Sequence, residues 1–121
     1  MTQIQGLIVA YVTEGSVNRF TIVCHGEAKD SAKQATSYTD KLLGVSTRLP
    51  KEPGEHIDVV RSGITPVVYG DTVKRGDFIT ADSQGRAVKA TSGQAYIGIA
   101  EEDGVEDDLG SILVTNGVFT G

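Results

Sequence analysis

Cys24 and His25 stand side by side, and His56 is the one other histidine. A nucleophilic Cys–His pair needs its two side chains within hydrogen-bond reach, and neighbours on a strand point to opposite faces. Cys24 therefore reads as a small buried thiol, which only the tertiary fold could bring to His56. No Gly-x-Ser-x-Gly elbow is present. One Cys and two His cannot build a closed zinc site with familiar spacing. Glu101, Glu102, Asp103, Glu106, Asp107 and Asp108 form the densest set of oxygen donors, the ligand type that calcium prefers. They lack the alternating spacing of an EF-hand loop, and a solvated loop is the simpler reading. No glycine-rich phosphate loop opens a helix. Arg75-Gly76-Asp77 spells an adhesion tripeptide, but at a predicted turn before a strand, where Gly-Asp is common. No acid, base and nucleophile converge, so the expectation is a protein without catalytic residues, cofactor or metal.

The elements that carry these residues are strands. Short runs rich in β-branched residues span Leu7 to Thr13 and Phe20 to Cys24, and further candidate strands span Lys41 to Ser46, Ile57 to Arg61 and Thr65 to Tyr69. Others span Phe78 to Ala81, Arg86 to Ala90, Tyr96 to Ala100 and Ser111 to Thr115. Most are bounded by Gly, Asn, Asp or Ser, the pattern of a small all-β sandwich or barrel. Phe78 to Ala90 reads as a hairpin around Asp82-Ser83-Gln84-Gly85, with the Asp and Gly that a type I turn prefers. Only Gly26 to Ala35 has the composition of a helix. It lacks an apolar stripe, so it is either one short exposed helix or a polar loop.

The 121 residues suit one domain, residues 1–121. One cysteine excludes an internal disulfide framework. Of 16 acidic residues, six lie between Glu101 and Asp108, so the rest of the chain, with 11 Lys and Arg, is nearly neutral. No basic stripe suits duplex nucleic acid, and the seven aromatic residues are too scattered for a single-strand platform. The longest apolar run, Leu7 to Val12, is far too short to span a bilayer. It also lacks signal-peptide features. The two halves echo one another. Leu42–Ser46 lies over Tyr96–Ala100 at an offset of 54, and Val59–Ile64 over Leu113–Val118 at the same offset. Ala35-Thr36-Ser37 matches Ala90-Thr91-Ser92 at 55, and Tyr11 and Phe20 match Tyr69 and Phe78 at 58. The physical reading is two similar β units packing their apolar faces together.

The phrase from Val73 to Asp82, followed by Gly85–Thr91, Ile97–Ala100 and Ile112–Val114, resembles the capsid cement (head decoration) proteins of tailed phages. Leu43-Gly44-Val45-Ser46, Ile57–Val60 and Gly63-Ile64 extend the resemblance into the first half. It implies a β-rich structural protein without catalytic residues, bound to the outside of a mature head and clamping neighbouring capsid subunits. The implied partner is the major capsid protein, and the implied state a homo-oligomer, dimer or trimer, on a symmetry axis. The implied locations are the outer capsid surface of the virion and, during assembly, the host cytoplasm. A β-clip-like module binding a glycan or small polar ligand is the alternative. The stretch Gly26 to Tyr38 and the acidic loop depart from the family pattern. Three regions are candidates for shell contact. They are a free arm over Met1 to Gly6 (Thr2, Gln3, Ile4, Gln5), the loop Thr47 to His56 (Arg48, Lys51) and the loop Glu101 to Gly110 (Glu101, Glu102, Asp107).

Overall fold

The computed structural model describes residues 4–120. Eleven strands and no helix are present among them. In chain order they are β1 (Ile4–Gln5), β2 (Ile8–Thr13), β3 (Ile22–His25), β4 (Ser31–Gln34), β5 (Leu42–Ser46) and β6 (His56–Val60). There follow β7 (Gly63–Val68), β8 (Phe78–Ala81), β9 (Ala87–Lys89), β10 (Ala95–Ala100) and β11 (Leu109–Val118). The all-β expectation, with two β units, is borne out. The first half is a closed five-stranded barrel in the order β2-β4-β3-β5-β6, and the second a sheet in the order β1-β7-β11-β10-β8-β9.

The segment expected to be a helix or a loop is instead a turn leading into β4. Asp30 takes a left-handed backbone (φ 62°), which sends the chain back along β3. Ala32 then enters the barrel core, while β2 pairs with the same strand in parallel through Val12–Ser31 and Thr13–Ala32. Two flanking ladders satisfy this backbone, and they override the helix propensity of Ala, Lys and Gln. The hairpin expected at Phe78–Ala90 forms as read. Gly85 donates to the Asp82 carbonyl (3.2 Å), and Asp82 Oδ1 accepts from the amides of Gln84 and Arg86. At the N-terminus, Ile4 and Gln5 pair with Ile64 and Gly63 as an edge strand, so this part of the expected arm is docked on the sheet. Thr2 and Gln3 lie outside the described residues.

The internal repeat extends to the hydrogen-bond register. β2, β3, β4, β5 and β6 correspond in turn to β7, β8, β9, β10 and β11, with the same strand neighbours in each half. The offset slides from 56 (Thr13 to Tyr69) through 55 (Ala32 to Ala87) and 54 (Val45 to Ile99) to 53 (Val60 to Leu113). The offsets of 55 and 54 therefore stand for β4 and β5. Tyr11 and Phe20 do not correspond to Tyr69 and Phe78, and the last strand aligns at 53. Isolated bridges match too: Val17–Lys51 is the counterpart of Val73–Gly104. Only the closure differs. The parallel ladder that seals the barrel is reduced to a single Tyr69–Ala87 bridge in the second half.

That difference sets the core. Val17, Val23, Ala32, Leu43, Ile57 and Val59, with Tyr11, fill the barrel. Alternate residues of the same strands, Ile22, Cys24, Val45 and Val60, point the other way. They join Val67, Tyr69, Val73, Ile79, Ile97 and Ile112 in one larger cluster. The outer wall of the barrel thus completes the core of the open sheet. Strands β3, β5 and β6 bury apolar residues on both faces, which explains their near-continuous apolar runs. Gly44 and its counterpart Gly98 stand where β5 and β10 approach the next strand. A methyl on Gly98 would lie 2.8 Å from the Leu113 carbonyl oxygen, and one on Gly44 would strike that of Val60.

Candidate functional site

The sequence candidates for chemistry are not brought together. Cys24 is buried in the shared core, and burial pushes its thiol up to about 11. His25 is exposed, and His56 sits on β6 opposite Val12 on the barrel wall. Among the described residues no group of three or more His, Cys, Asp or Glu is arranged to hold a metal ion. In the Arg75-Gly76-Asp77 turn, Asp77 Oδ2 accepts from the Lys74 amide (2.9 Å), and Arg75 donates its amide to Asp103 (2.8 Å).

The acidic loop proves to be a structured corner. Arg86 reaches Asp82 (3.0 Å), Glu106 (3.2 Å) and Asp107 (3.0 Å), which ties the β8–β9 turn to the loop. Asp82 heads the influences that hold this guanidinium charged. Asp108 caps the Val105 amide, and the Glu102 carbonyl accepts the Tyr69 hydroxyl (2.7 Å). Burial pushes that phenol up to about 12, with Glu102 next among the causes. Asp107 adopts φ 69°, the conformation its counterpart Gly54 takes at φ 83°. Glu101 opens the loop, its amide donating to Ser111 (2.9 Å). Lys51 exchanges both backbone hydrogen bonds with Val17 on the matching corner of the first half.

Between these two corners lies a groove of about 460 Å³ on the seam of the halves, lined by Asn18, Arg19, Thr21, Arg48, Pro50, Val68, Gln84 and Arg86. Arg48 also lines an adjoining hollow of about 300 Å³ with Phe20, Thr47, Leu49, Asp58 and Thr65. Of the predicted contact residues, Arg48 alone stands in both. The sequence reading missed Arg19, Phe20 and Leu49. Phe20 has φ 52°, and a bulky residue in the left-handed region is a true outlier, costing roughly 1–2 kcal/mol. Its counterpart, at the offset of 56, is Gly76 with φ 93°. Aligning the halves in this register is the one sequence signal that would have exposed Phe20. Its backbone also joins the halves, donating to Thr47 (3.0 Å) and accepting from Val68 (2.9 Å).

A family model described as phage cement protein matches residues 4–116. No curated protein sequence matches this chain. Among solved structures, the fold is similar to that of the head fiber gp8.5 N base in bacteriophage phi29. The TM-score is 0.69 over 90% of this chain and 93% of that one, at 16% identity. At that identity the likeness is one of fold.

Proposed function

Because the chain belongs to the phage cement protein family, matched over residues 4–116, we propose that it binds the outside of an assembled phage head and clamps neighbouring shell subunits. Membership makes it a structural, capsid-associated phage protein; the clamping and the outward placement are inferred here. The family match carries this reading. The architecture supports it, because a clamp needs a stiff body and shaped corners more than a reactive centre. The shared core fixes the two halves against one another, and the Arg86 cluster stiffens one corner. Binding only the assembled shell stabilises that shell by linkage, about 2.7 kcal/mol per site at free protein 100-fold above Kd. A dimer or trimer touching several subunits would gain avidity as well.

Co-sedimentation with cognate mature heads and with free capsid subunits tests the proposal. Saturable binding to heads at micromolar protein, with little to free subunits, is expected. No binding to heads would sink it. A module for a glycan or small polar ligand would use the same seam groove. A thermal shift on a glycan panel, without head binding, would favour that reading instead.

A further inference from the structure

We infer that the paired hollows around Arg48 form a docking groove for an extended, acidic segment of the shell protein; this rests on the capsid-binding reading above. Three independent observations converge there. First, Arg19 and Arg48 are exposed and make no ion pair with any described residue, whereas Arg86 at the rim is held by three carboxylates. On a chain of formal net charge -5, two uncommitted guanidinium groups in one groove mark where a carboxylate would be held. Second, Leu49 is 54% exposed beside Arg48, and the half-buried Phe20 lines the same hollow. Third, Phe20 is kept in a left-handed conformation that its counterpart Gly76 shows glycine can supply. Strain retained at a bulky residue points to a role for the side chain.

The two hollows differ in polarity, and this orients the ligand. The larger one is lined by Arg19, Arg48 and Arg86 and by no acidic residue, so it takes the Asp or Glu of the segment. The smaller one combines Phe20 and Leu49 with Asp58, so it takes an apolar side chain flanked by a hydrogen-bond donor. Arg48 is common to both and would meet the backbone between them.

The test measures head binding for the full-length protein and for Arg19→Glu, Arg48→Glu and Phe20→Gly. Both charge reversals alter exposed side chains, so the unfolding midpoint should stay put while Kd for heads weakens by ~10-fold or more. The wild-type affinity should fall between low and moderate salt, and the Arg19→Glu/Arg48→Glu double variant should show a flatter dependence. Phe20→Gly should weaken binding without lowering the unfolding midpoint, because it removes strain. Reversal variants that bind heads like the wild type would overturn the groove while leaving the capsid reading intact. Phe20→Gly that unfolds more easily yet binds normally would make Phe20 a packing residue and remove it from the site. Wild-type protein that ignores heads would remove both proposals. Sedimentation of the free protein adds a last arm: self-association abolished by Arg19→Glu would identify the occupant as a second copy and overturn the shell segment.

Discussion

The two halves solve one local problem from opposite sides. In the first, the turn Glu27–Ser31 is capped from the neighbouring strand, by the residue that follows β2. Glu14 accepts from the Glu27 amide (2.8 Å), the Ala28 amide (2.9 Å) and the Ser31 hydroxyl (2.7 Å). In the second, the turn Asp82–Arg86 is capped from within, by Asp82. The counterpart of Glu14 is Gly70, and the counterpart of Asp82 is Gly26, both at an offset of 56. A methyl on Gly26 would lie 2.7 Å from the Glu14 carboxyl carbon, and one on Gly70 would strike the Asp82 carboxylate. Each half has room for one carboxylate, and each supplies it from a different strand. Thr13 and Ile57 likewise correspond to Tyr69 and Gly110: a small residue beside a large one, exchanged. The fold is therefore kept by pairs that compensate as well as by single residues that match, such as Gly44 and Gly98.

The largest expected effect separates the outer walls. The row Ile8–Val60–Val45–Ile22 runs across the barrel in the same register as Ile64–Leu113–Ile99–Phe78 across the sheet. Val60 is 2% exposed and Leu113 38%. Val60→Asp would bury a charge in the shared core and cost about 4 kcal/mol or more. Leu113→Asp, at the equivalent position, should cost about 1 kcal/mol or less. Denaturant unfolding of the two variants measures the contrast, and equal losses would break it.

Next comes the exchanged pair. Gly110 packs on the buried Tyr69 ring, which any side chain at 110 would strike. Gly110→Ile alone should cost about 3 kcal/mol through overpacking. Adding Tyr69→Thr, which copies the first half, should return part of that loss. A double-mutant cycle with a coupling of about 1 kcal/mol or more is the expected result, and strict additivity would contradict compensation.

The smallest effects are two titrations, one from each half. Backbone hydrogen bonds from Ala28, then the Ser31 hydroxyl and the Glu27 amide, lower the Glu14 carboxyl from 4.5 to about 2. As pH falls through that window the unfolded chain takes up the proton first, so the stabilisation present above 4.5 is lost toward 2. Glu14→Gln should flatten the acid arm of a stability–pH profile. The Tyr69 phenol is raised from 10 to about 12. There the unfolded chain releases its proton first, so stability present below 10 is lost as pH climbs toward 12. Tyr69→Phe should flatten that alkaline arm, leaving the contribution of Cys24, which spans 9 to about 11.

Strands with two buried faces could be read directly, and so could the Asp82–Gly85 turn, because composition and local chemistry point the same way there. β4 could not. Ser31–Gln34 offers one inward apolar residue, Ala32, and its strand state comes from pairing with β3 on one side and with the more distant β2 on the other. The repeat was visible as a pattern but misregistered, because the offset holds at 56 over β2 and β3, then falls by one at each of β4, β5 and β6, and side chains were exchanged in compensating pairs. Arg48 lies in a loop singled out from the sequence, and it lines both hollows. The left-handed Phe20 shows only when the halves are aligned at 56, which sets it opposite Gly76.

The asymmetric closure has a consequence for how the chain is made. The barrel holds its own sealed ladder and its own core, all within the first 60 residues. The sheet must borrow Ile22, Val45 and Val60 to finish its interior. On a ribosome adding roughly 5–20 residues per second, the barrel can close several seconds before the sheet exists. For that interval its borrowed wall is bare and adhesive, and the second half arrives as the cover that the nascent first half has been waiting for.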